Sequence, residues 1–117
     1  MRMWMINPKY LCNKHLIGEH GEIHKHRHNF IKKHSVLGRL YPIIQIEPMS
    51  MLDRHDELVK EMIIRNMNHK SPYIMPDVSY IDKQYLNLKV DRDYSIRDLM
   101  TRCEDCRKRI IEYERNN

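Results

Sequence analysis

Glu22 is the residue whose surroundings most suggest chemistry, because it is one of only two carboxylates within residues 1–40. This segment is otherwise rich in cations and histidines, and a carboxylate there opposes the binding of a polyanion. Such a group can stabilise a positive charge that develops during bond cleavage and can then transfer protons. The ordinary alternative is that Glu22 pairs with Lys25 across one helical turn or faces solvent.

The positive charge of the chain is concentrated around this carboxylate. The formal net charge is +5, yet residues 1–40 hold eight Lys or Arg against two Glu, a net charge of +6. Residues 41–117 hold 13 basic and 14 acidic side chains. Six of the eight histidines also lie in the basic segment, namely His15, His20, His24, His26, His28 and His34. We therefore expect a phosphate-rich partner at residues 1–40.

Hydrophobic periodicity predicts that Glu22 lies on a long helix. Apolar and aromatic positions recur at intervals of three and four from Leu16 to His34, and Asn13 can cap a helix that begins near Lys14. Leu37 and the following glycine end it. Residues 41–47 contain one proline and precede another, so we expect an extended crossing segment rather than a paired strand.

Two further helices complete an all-α fold. Ser50 and Asp53 give a capping-box-like start to the second helix, and Ser95 and Asp98 give a similar start to the third. The second helix is predicted to bury Leu58, Val59, Met62, Ile63 and Met67 and to expose Asp56, Glu57, Lys60, Glu61 and Arg65. The third is predicted to bury Ile96, Leu99, Met100, Cys103, Ile110 and Ile111. Residues 68–90 between them read as a long ordered loop anchored by Tyr73, Tyr80 and Tyr85.

The size and composition bound the class of protein. A chain of 117 residues is predicted to form a single domain, 1–117, with one modest core. A mean hydropathy of -0.75 and 32% charged residues exclude a membrane protein. Three cysteines and no signal pattern favour a reducing, cytoplasmic setting over a disulfide scaffold.

Metal ligation is an alternative use of the histidines and cysteines. His20 with His24, and His24 with His28, have the i, i+4 spacing that can bind zinc on one helix face. Cys103 and Cys106 have two-ligand spacing, which Cys12 and His15 could complete. Since Cys103 falls on the apolar stripe of the third helix, a buried structural thiol is expected instead, and we predict no metal.

The chain resembles the pyrimidine-dimer DNA glycosylase/AP lyases of the phage endonuclease V type. The resemblance rests on Lys14-His-Leu-Ile-Gly-Glu-His-Gly-Glu22, on Lys32-Lys-His34 and Gly38, and on Ile46-Glu-Pro-Met-Ser-Met before the second helix. It covers about the first two thirds of the chain. It implies an all-α fold in which the N-terminal segment threads between the helices.

The resemblance also implies a mechanism that requires no metal or cofactor. The N-terminal amine of Met1 attacks C1′ of the damaged nucleotide, and Glu22 is the catalytic carboxylate. The base leaves, and the resulting imine permits β-elimination of the strand. The matching DNA-binding positions are Arg2, Lys14 and His15 around the flipped nucleotide, and Lys25, Lys32 and Lys33 on phosphates. The implied partner is double-stranded DNA with a damaged pyrimidine or an abasic site, bound by a monomer.

Proton chemistry favours this nucleophile independently of the resemblance. An α-amine with a pKa of about 7.7 to 8.0 is neutral in roughly a tenth to a fifth of molecules at pH 7, whereas an ordinary lysine is neutral in fewer than about one in a thousand. The bulky Arg2 should block removal of Met1, which keeps the register to Glu22. The terminus is therefore the better attacking amine.

Two other readings of the same residues stay open. The chain could be a basic DNA-binding module without chemistry, in which Glu22 is incidental. Alternatively, the substrate could be an oxidised or hypermodified pyrimidine, since Gly21 and Lys25 stand where the family has arginines. The loop tyrosines could stack on an extruded base, although anchoring the loop to the core is the commoner role.

Overall fold

The computed structural model describes residues 2–69 and 72–115, and the regular structure within them is entirely helical. The α-helices are α1 (Asn13–Ile31), α2 (Met51–Ile64), α3 (Lys83–Leu86), α4 (Arg92–Arg102) and α5 (Glu104–Arg115). Three 3-10 helices occupy Pro8–Tyr10, Leu37–Arg39 and Pro48–Ser50. The all-α prediction is confirmed. Among these residues no helix combines the length and apolar character needed to cross a membrane.

Helix α1 carries Glu22, as predicted, but both of its ends differ from the prediction. Cys12, in an extended conformation, is the N-cap residue, and Asn13 instead accepts a hydrogen bond from Arg65 at 2.9 Å. The helix ends at Ile31, short of His34. Lys33 adopts a φ of 56°, a left-handed conformation that terminates the α-helical hydrogen-bonding pattern.

Helix α2 begins where the sequence predicted, but its buried face is rotated. Ser50 does not cap the helix, because its hydroxyl donates to Glu47 Oε1 at 2.8 Å. Glu61, predicted to be exposed, is buried and accepts a hydrogen bond from Arg65 at 2.9 Å. Ile63, predicted to be buried, is 60% exposed. Because Glu61 is ion-paired, it can lie on the buried face of α2. Hydrophobic spacing alone therefore predicted the wrong buried face.

The predicted third helix is two helices, separated at Cys103. Asp91 caps α4 by accepting a hydrogen bond from the Tyr94 N–H at 3.1 Å, whereas Ser95 is buried inside the helix. Cys103 has φ −130° and ψ 109°, which is extended backbone. The capping box at Ser95 and the continuous helix were therefore wrong, since the apolar spacing continues across the break.

The predicted crossing segment at 41–47 is confirmed, whereas the predicted loop at 68–90 contains the unpredicted helix α3, and its residues 70 and 71 lie outside the described residues. Residues 41–47 form neither helix nor strand, and residues 72–90 form a loop interrupted by the short α3. Tyr73 is buried, and the Tyr80 hydroxyl donates to the carbonyl of His34 at 2.7 Å. Arg27 also donates to the carbonyl of Ile74 at 2.6 Å. These contacts tie the loop to α1 and the residues that follow it.

The N-terminal segment runs through the core, as predicted. Met3, Trp4 and Ile6 are all buried. The Met3 N–H donates to the carbonyl of Gln45 at 2.8 Å, which joins the segment to the crossing loop. The 3-10 helix Pro8–Tyr10 then packs against α5 and α2. The segment is therefore held on several sides before α1 begins.

Candidate active site

Glu22 lies on the inner side of α1 and does not face solvent. Its side chain is 13% exposed, and its Oε2 is 3.6 Å from His26 Nε2. This oxygen is buried and has no hydrogen-bond partner within residues 2–69 and 72–115. Lys25, the expected partner in the ordinary reading, is exposed. The site therefore offers a carboxylate oxygen with unused acceptor capacity.

His26 gives Glu22 a neutral neighbour. Burial lowers the pKa of His26, Glu22 acts in the opposite direction, and the positive charges of Arg39 and Lys25 lower it further. The imidazole is therefore largely uncharged at neutral pH, so the two side chains do not form a full ion pair. Neither ring nitrogen has a hydrogen-bond partner among the residues that the structure describes. A buried carboxylate beside a neutral imidazole can exchange protons with a bound substrate.

A basic cavity of about 370 Å³ opens beside the N-terminal segment. It is lined by Arg2, Trp4, Lys14, His15, Ile43, Gln45, Tyr94, Asp98 and Arg102. The structure thus brings together three residues that the resemblance assigned to the flipped nucleotide. The volume is within the range of small-ligand sites.

Arg2 is a fixed cation in the wall of this cavity. Its guanidinium lies 4.7 Å from the ring centre of Trp4 and 4.8 Å from that of Tyr94. It also forms an ion pair with Asp98. Arg102 contacts the same carboxylate at 3.2 Å but is 60% exposed, so it can turn toward a ligand. Two cations of different exposure therefore share one acidic partner.

Gln45 connects the cavity to the surroundings of Glu22. Its carbonyl accepts the Met3 N–H, and its side-chain Oε1 accepts a hydrogen bond from Arg39 at 3.1 Å. Arg39 in turn lies close enough to His26 to lower the pKa of that imidazole. The cavity wall is thus hydrogen-bonded to Arg39, whose charge acts on His26 of the Glu22–His26 pair.

The remaining sequence-predicted residues do not line the cavity. Lys25, Lys32 and Lys33 are exposed on α1 and immediately after it, where phosphates could reach them. Met1 lies outside the described residues. Glu22 is also absent from the cavity lining, so one pocket does not contain all of the predicted site residues.

Two groups of side chains that could bind a metal ion lie within the described part of the chain. Cys12, His15, Cys103 and Cys106 converge, with their ligand atoms within 4.8 Å of one another. The sequence raised this set as an alternative to a buried structural thiol. Cys103 is half-buried at the helix break, so its expected place in a continuous apolar stripe was wrong.

The second group is formed by His20, His24, His55 and His69. Only the first two were singled out from the sequence, by their i, i+4 spacing. His28 is not a member of this group, and its ring centre lies 6.4 Å from that of His34. Burial, followed by the neighbouring imidazoles, lowers the pKa of His20 to about 4. The signal that was missed is tertiary, because His55 and His69 lie on other segments.

A family model described as pyrimidine dimer DNA glycosylase matches residues 1–75. This is more than half of the chain, and the chain belongs to that family. No curated protein and no solved structure matches. The matched stretch contains Glu22 and His26, whereas Tyr94, Asp98 and Arg102 of the cavity lie beyond it.

Proposed function

We propose that the chain is a DNA repair glycosylase with AP lyase activity that excises a pyrimidine damaged by ultraviolet light. The observation that carries this proposal is Glu22, a nearly buried carboxylate in the most basic segment of a member of this family. A solvated surface glutamate would be exposed, whereas the Glu22 side chain is 13% exposed and its Oε2 has no hydrogen-bond partner among the described residues. A catalytic role would explain why a carboxylate occupies this position.

The proposed reaction begins at the N-terminal amine of Met1. The neutral amine forms a bond to C1′ as the glycosidic bond to the base breaks, and the departing base takes the bonding electrons and a proton. One amine proton passes to the departing base, and the other passes to O4′ as the sugar ring opens, which leaves an imine. Removal of a C2′ proton then expels the 3′ phosphate by β-elimination, and water releases the protein.

Glu22 has two tasks in this scheme. Its negative charge opposes the positive charge that develops at C1′, and this attraction is strengthened by the low dielectric of a buried site. Its Oε2 can also carry a proton between the nitrogen, the sugar and C2′, because no hydrogen bond from the described residues occupies it. An amide at this position would keep the shape and lose both tasks.

The DNA would be held by two basic surfaces. The cavity residues Arg2, Lys14 and Arg102 surround a volume suited to an extruded nucleotide. Lys25, Lys32 and Lys33 would contact phosphates along the strand. These contacts would hold a bent duplex on a single protein molecule. The aromatic ring of Tyr94 also lines the cavity, is exposed and can stack on a base.

The experiment compares Glu22→Gln with Glu112→Gln, a control at an exposed position on α5. Both proteins are incubated with a duplex that contains one pyrimidine dimer, and strand nicking is followed on denaturing gels. Glu22→Gln should bind this duplex normally and nick it about 100- to 10,000-fold more slowly. Nicking by Glu22→Gln at the rate of the control would refute the assigned role.

A substrate panel separates the remaining possibilities. Duplexes carrying a pyrimidine dimer, an oxidised pyrimidine or an abasic site are compared at equal concentration. Nicking of the dimer and the abasic duplex supports the proposal. A protein that binds every duplex and nicks none is a passive DNA-binding module, an outcome that would overturn the proposal.

A further inference from the structure

The cysteine cluster, defined as Cys12, His15, Cys103 and Cys106, has the spacing of a metal site. Cys12 Sγ is 3.2 Å from His15 Nδ1 and 3.8 Å from Cys103 Sγ. Cys106 Sγ is 3.4 Å from the same imidazole nitrogen. In a tetrahedral zinc site the metal–ligand distances imply about 3.8 Å between two sulfurs and about 3.5 Å between sulfur and nitrogen. The Cys12–Cys103 and Cys106–His15 separations match these values, the Cys12–His15 separation is shorter, and all four ligand atoms lie within 4.8 Å of one another.

Backbone groups support metal-binding thiolates in this cluster. The Cys12 N–H donates to Cys106 Sγ at 3.3 Å, and the Cys106 N–H donates to Cys103 Sγ at 3.4 Å. Such backbone donors stabilise sulfur that carries negative charge and orient it toward an ion. The three cysteines are free, so no disulfide competes for the sulfurs.

The cluster joins chain segments that are distant in sequence. Cys12 caps the start of α1, Cys103 lies at the break after α4, and Cys106 lies in the first turn of α5. We propose that this cluster binds a structural Zn²⁺ ion. The ion fastens the N-terminal segment and α1 to the α4–α5 break, beside the cavity that His15 also lines. The ion would take no part in the proposed glycosylase reaction, whose attacking group is the N-terminal amine, although its ligand His15 also lines the cavity.

A separate group of packed histidine rings supports a second metal site. The histidine cluster, defined as His20, His24, His55 and His69, packs imidazole rings from α1, α2 and the segment after α2. The centre of the His20 ring is 4.7 Å from that of His24, 4.9 Å from that of His55 and 4.8 Å from that of His69. The four ligand atoms lie within 4.8 Å of one another.

The histidine cluster contains buried ring nitrogens that have no hydrogen-bond partner among the described residues. The Nε2 atoms of His20, His24 and His69 are buried and have no hydrogen-bond partner within the described ranges. Burying three unpaired imidazole nitrogens in one cluster costs free energy unless an ion binds them. His55 Nδ1 is 2.9 Å from Asp56 Oδ1, the carboxylate–imidazole contact that commonly orients metal-binding histidines. We infer that the histidine cluster binds a second divalent transition-metal ion, with Zn²⁺ as the first to test.

Metal content tests both sites on the full-length protein. After loading with Zn²⁺ and removal of free metal, we expect two ions per chain by elemental mass spectrometry. Cys103→Ser with Cys106→Ser should remove one ion, and His20→Ala with His24→Ala should remove the other. The control is His28→Ala with His34→Ala, which alters two exposed histidines outside both clusters and should keep two ions.

Cobalt separates the two sites by their ligand atoms. Co²⁺ in the cysteine cluster gives a near-ultraviolet thiolate charge-transfer band, which the cysteine variant should lose and the histidine variant should keep. Cobalt uptake without that band would overturn the cysteine site. Unchanged metal content in the histidine variant would overturn the histidine site.

X-ray absorption of the zinc-loaded wild-type protein covers the case in which a variant fails to fold. Two occupied sites should give an average of about 1.5 sulfur and 2.5 nitrogen ligands per zinc. A shell of three sulfurs and one nitrogen would support the cysteine site and overturn the histidine site. Absence of sulfur ligands would overturn the cysteine site, and a protein that retains no zinc would overturn both.

Discussion

Arg54 and Glu19 form a two-pronged hydrogen-bonded pair in the core, with Nε 2.6 Å from Oε2 and Nη2 2.9 Å from Oε1. Both side chains are at most 1% exposed. Burial alone would lower the pKa of Arg54, but the hydrogen bonds and charge of Glu19, followed by those of Glu57, raise it. Arg54 Nη1 also donates to the carbonyl of Ile6 at 2.6 Å. One guanidinium thus joins α2, α1 and the N-terminal segment.

Removing this guanidinium should destabilise the fold strongly. Arg54→Met leaves the Glu19 carboxylate buried without its partner, and we expect the free energy of unfolding to fall by about 3 to 5 kcal/mol. Urea denaturation measures the change. Replacing both partners, as Glu19→Leu with Arg54→Met, should recover part of the loss because no charge is left buried.

The control is Arg97→Met, at an exposed position on α4, which should change stability by less than about 0.5 kcal/mol. An Arg54→Met protein as stable as this control would contradict the assigned importance of the pair.

The exposed cation of the cavity, Arg102, should contribute to DNA affinity. Arg102→Ala removes a charged donor, and we expect about tenfold weaker binding of abasic-site duplex, equivalent to ~1.5 kcal/mol. Arg97→Ala is the matched control, because Arg97 lies on the same helix and does not line the cavity. Fluorescence anisotropy at fixed salt gives both affinities. Equal affinities for the two variants would exclude the cavity from DNA binding.

The exposed lysines of the basic segment should determine salt dependence. Replacing Lys25, Lys32 and Lys33 by alanine should reduce the slope of log affinity against log salt by about 0.9 for each phosphate that is no longer neutralised. The control replaces Lys60, Lys83 and Lys108, three exposed lysines on other helices. Binding isotherms at several salt concentrations provide the slopes. If both triple variants give the same slope, the DNA phosphates bind elsewhere on the protein.

Local sequence signals were sufficient for the helices that carry the proposed chemistry. The three- and four-residue spacing on α1 correctly placed Glu22 on a helix, and the start of α2 after Ser50 was also predicted from local signals. Each of these features depends on neighbours within one or two turns. Such features can be read from a single chain.

Features that depend on tertiary contacts could not be read in the same way. The break at Cys103 interrupts an apolar spacing that continues on both sides, so periodicity contains no trace of it. Glu61 is buried because Arg65 and Lys9 neutralise it, and the latter belongs to a distant segment. The histidine cluster draws His55 and His69 from outside α1, so only packing reveals it.

The central claim is that the α-amine at residue 1 is the nucleophile and that it acts with Glu22. Borohydride reduction of a reaction with abasic-site DNA, followed by peptide mapping, tests it most directly, since reduction makes the imine permanent. We expect one covalent adduct, attached to the N-terminal peptide and abolished when that amine is acetylated. An adduct on a lysine, or none from a protein that binds the same DNA, would contradict it.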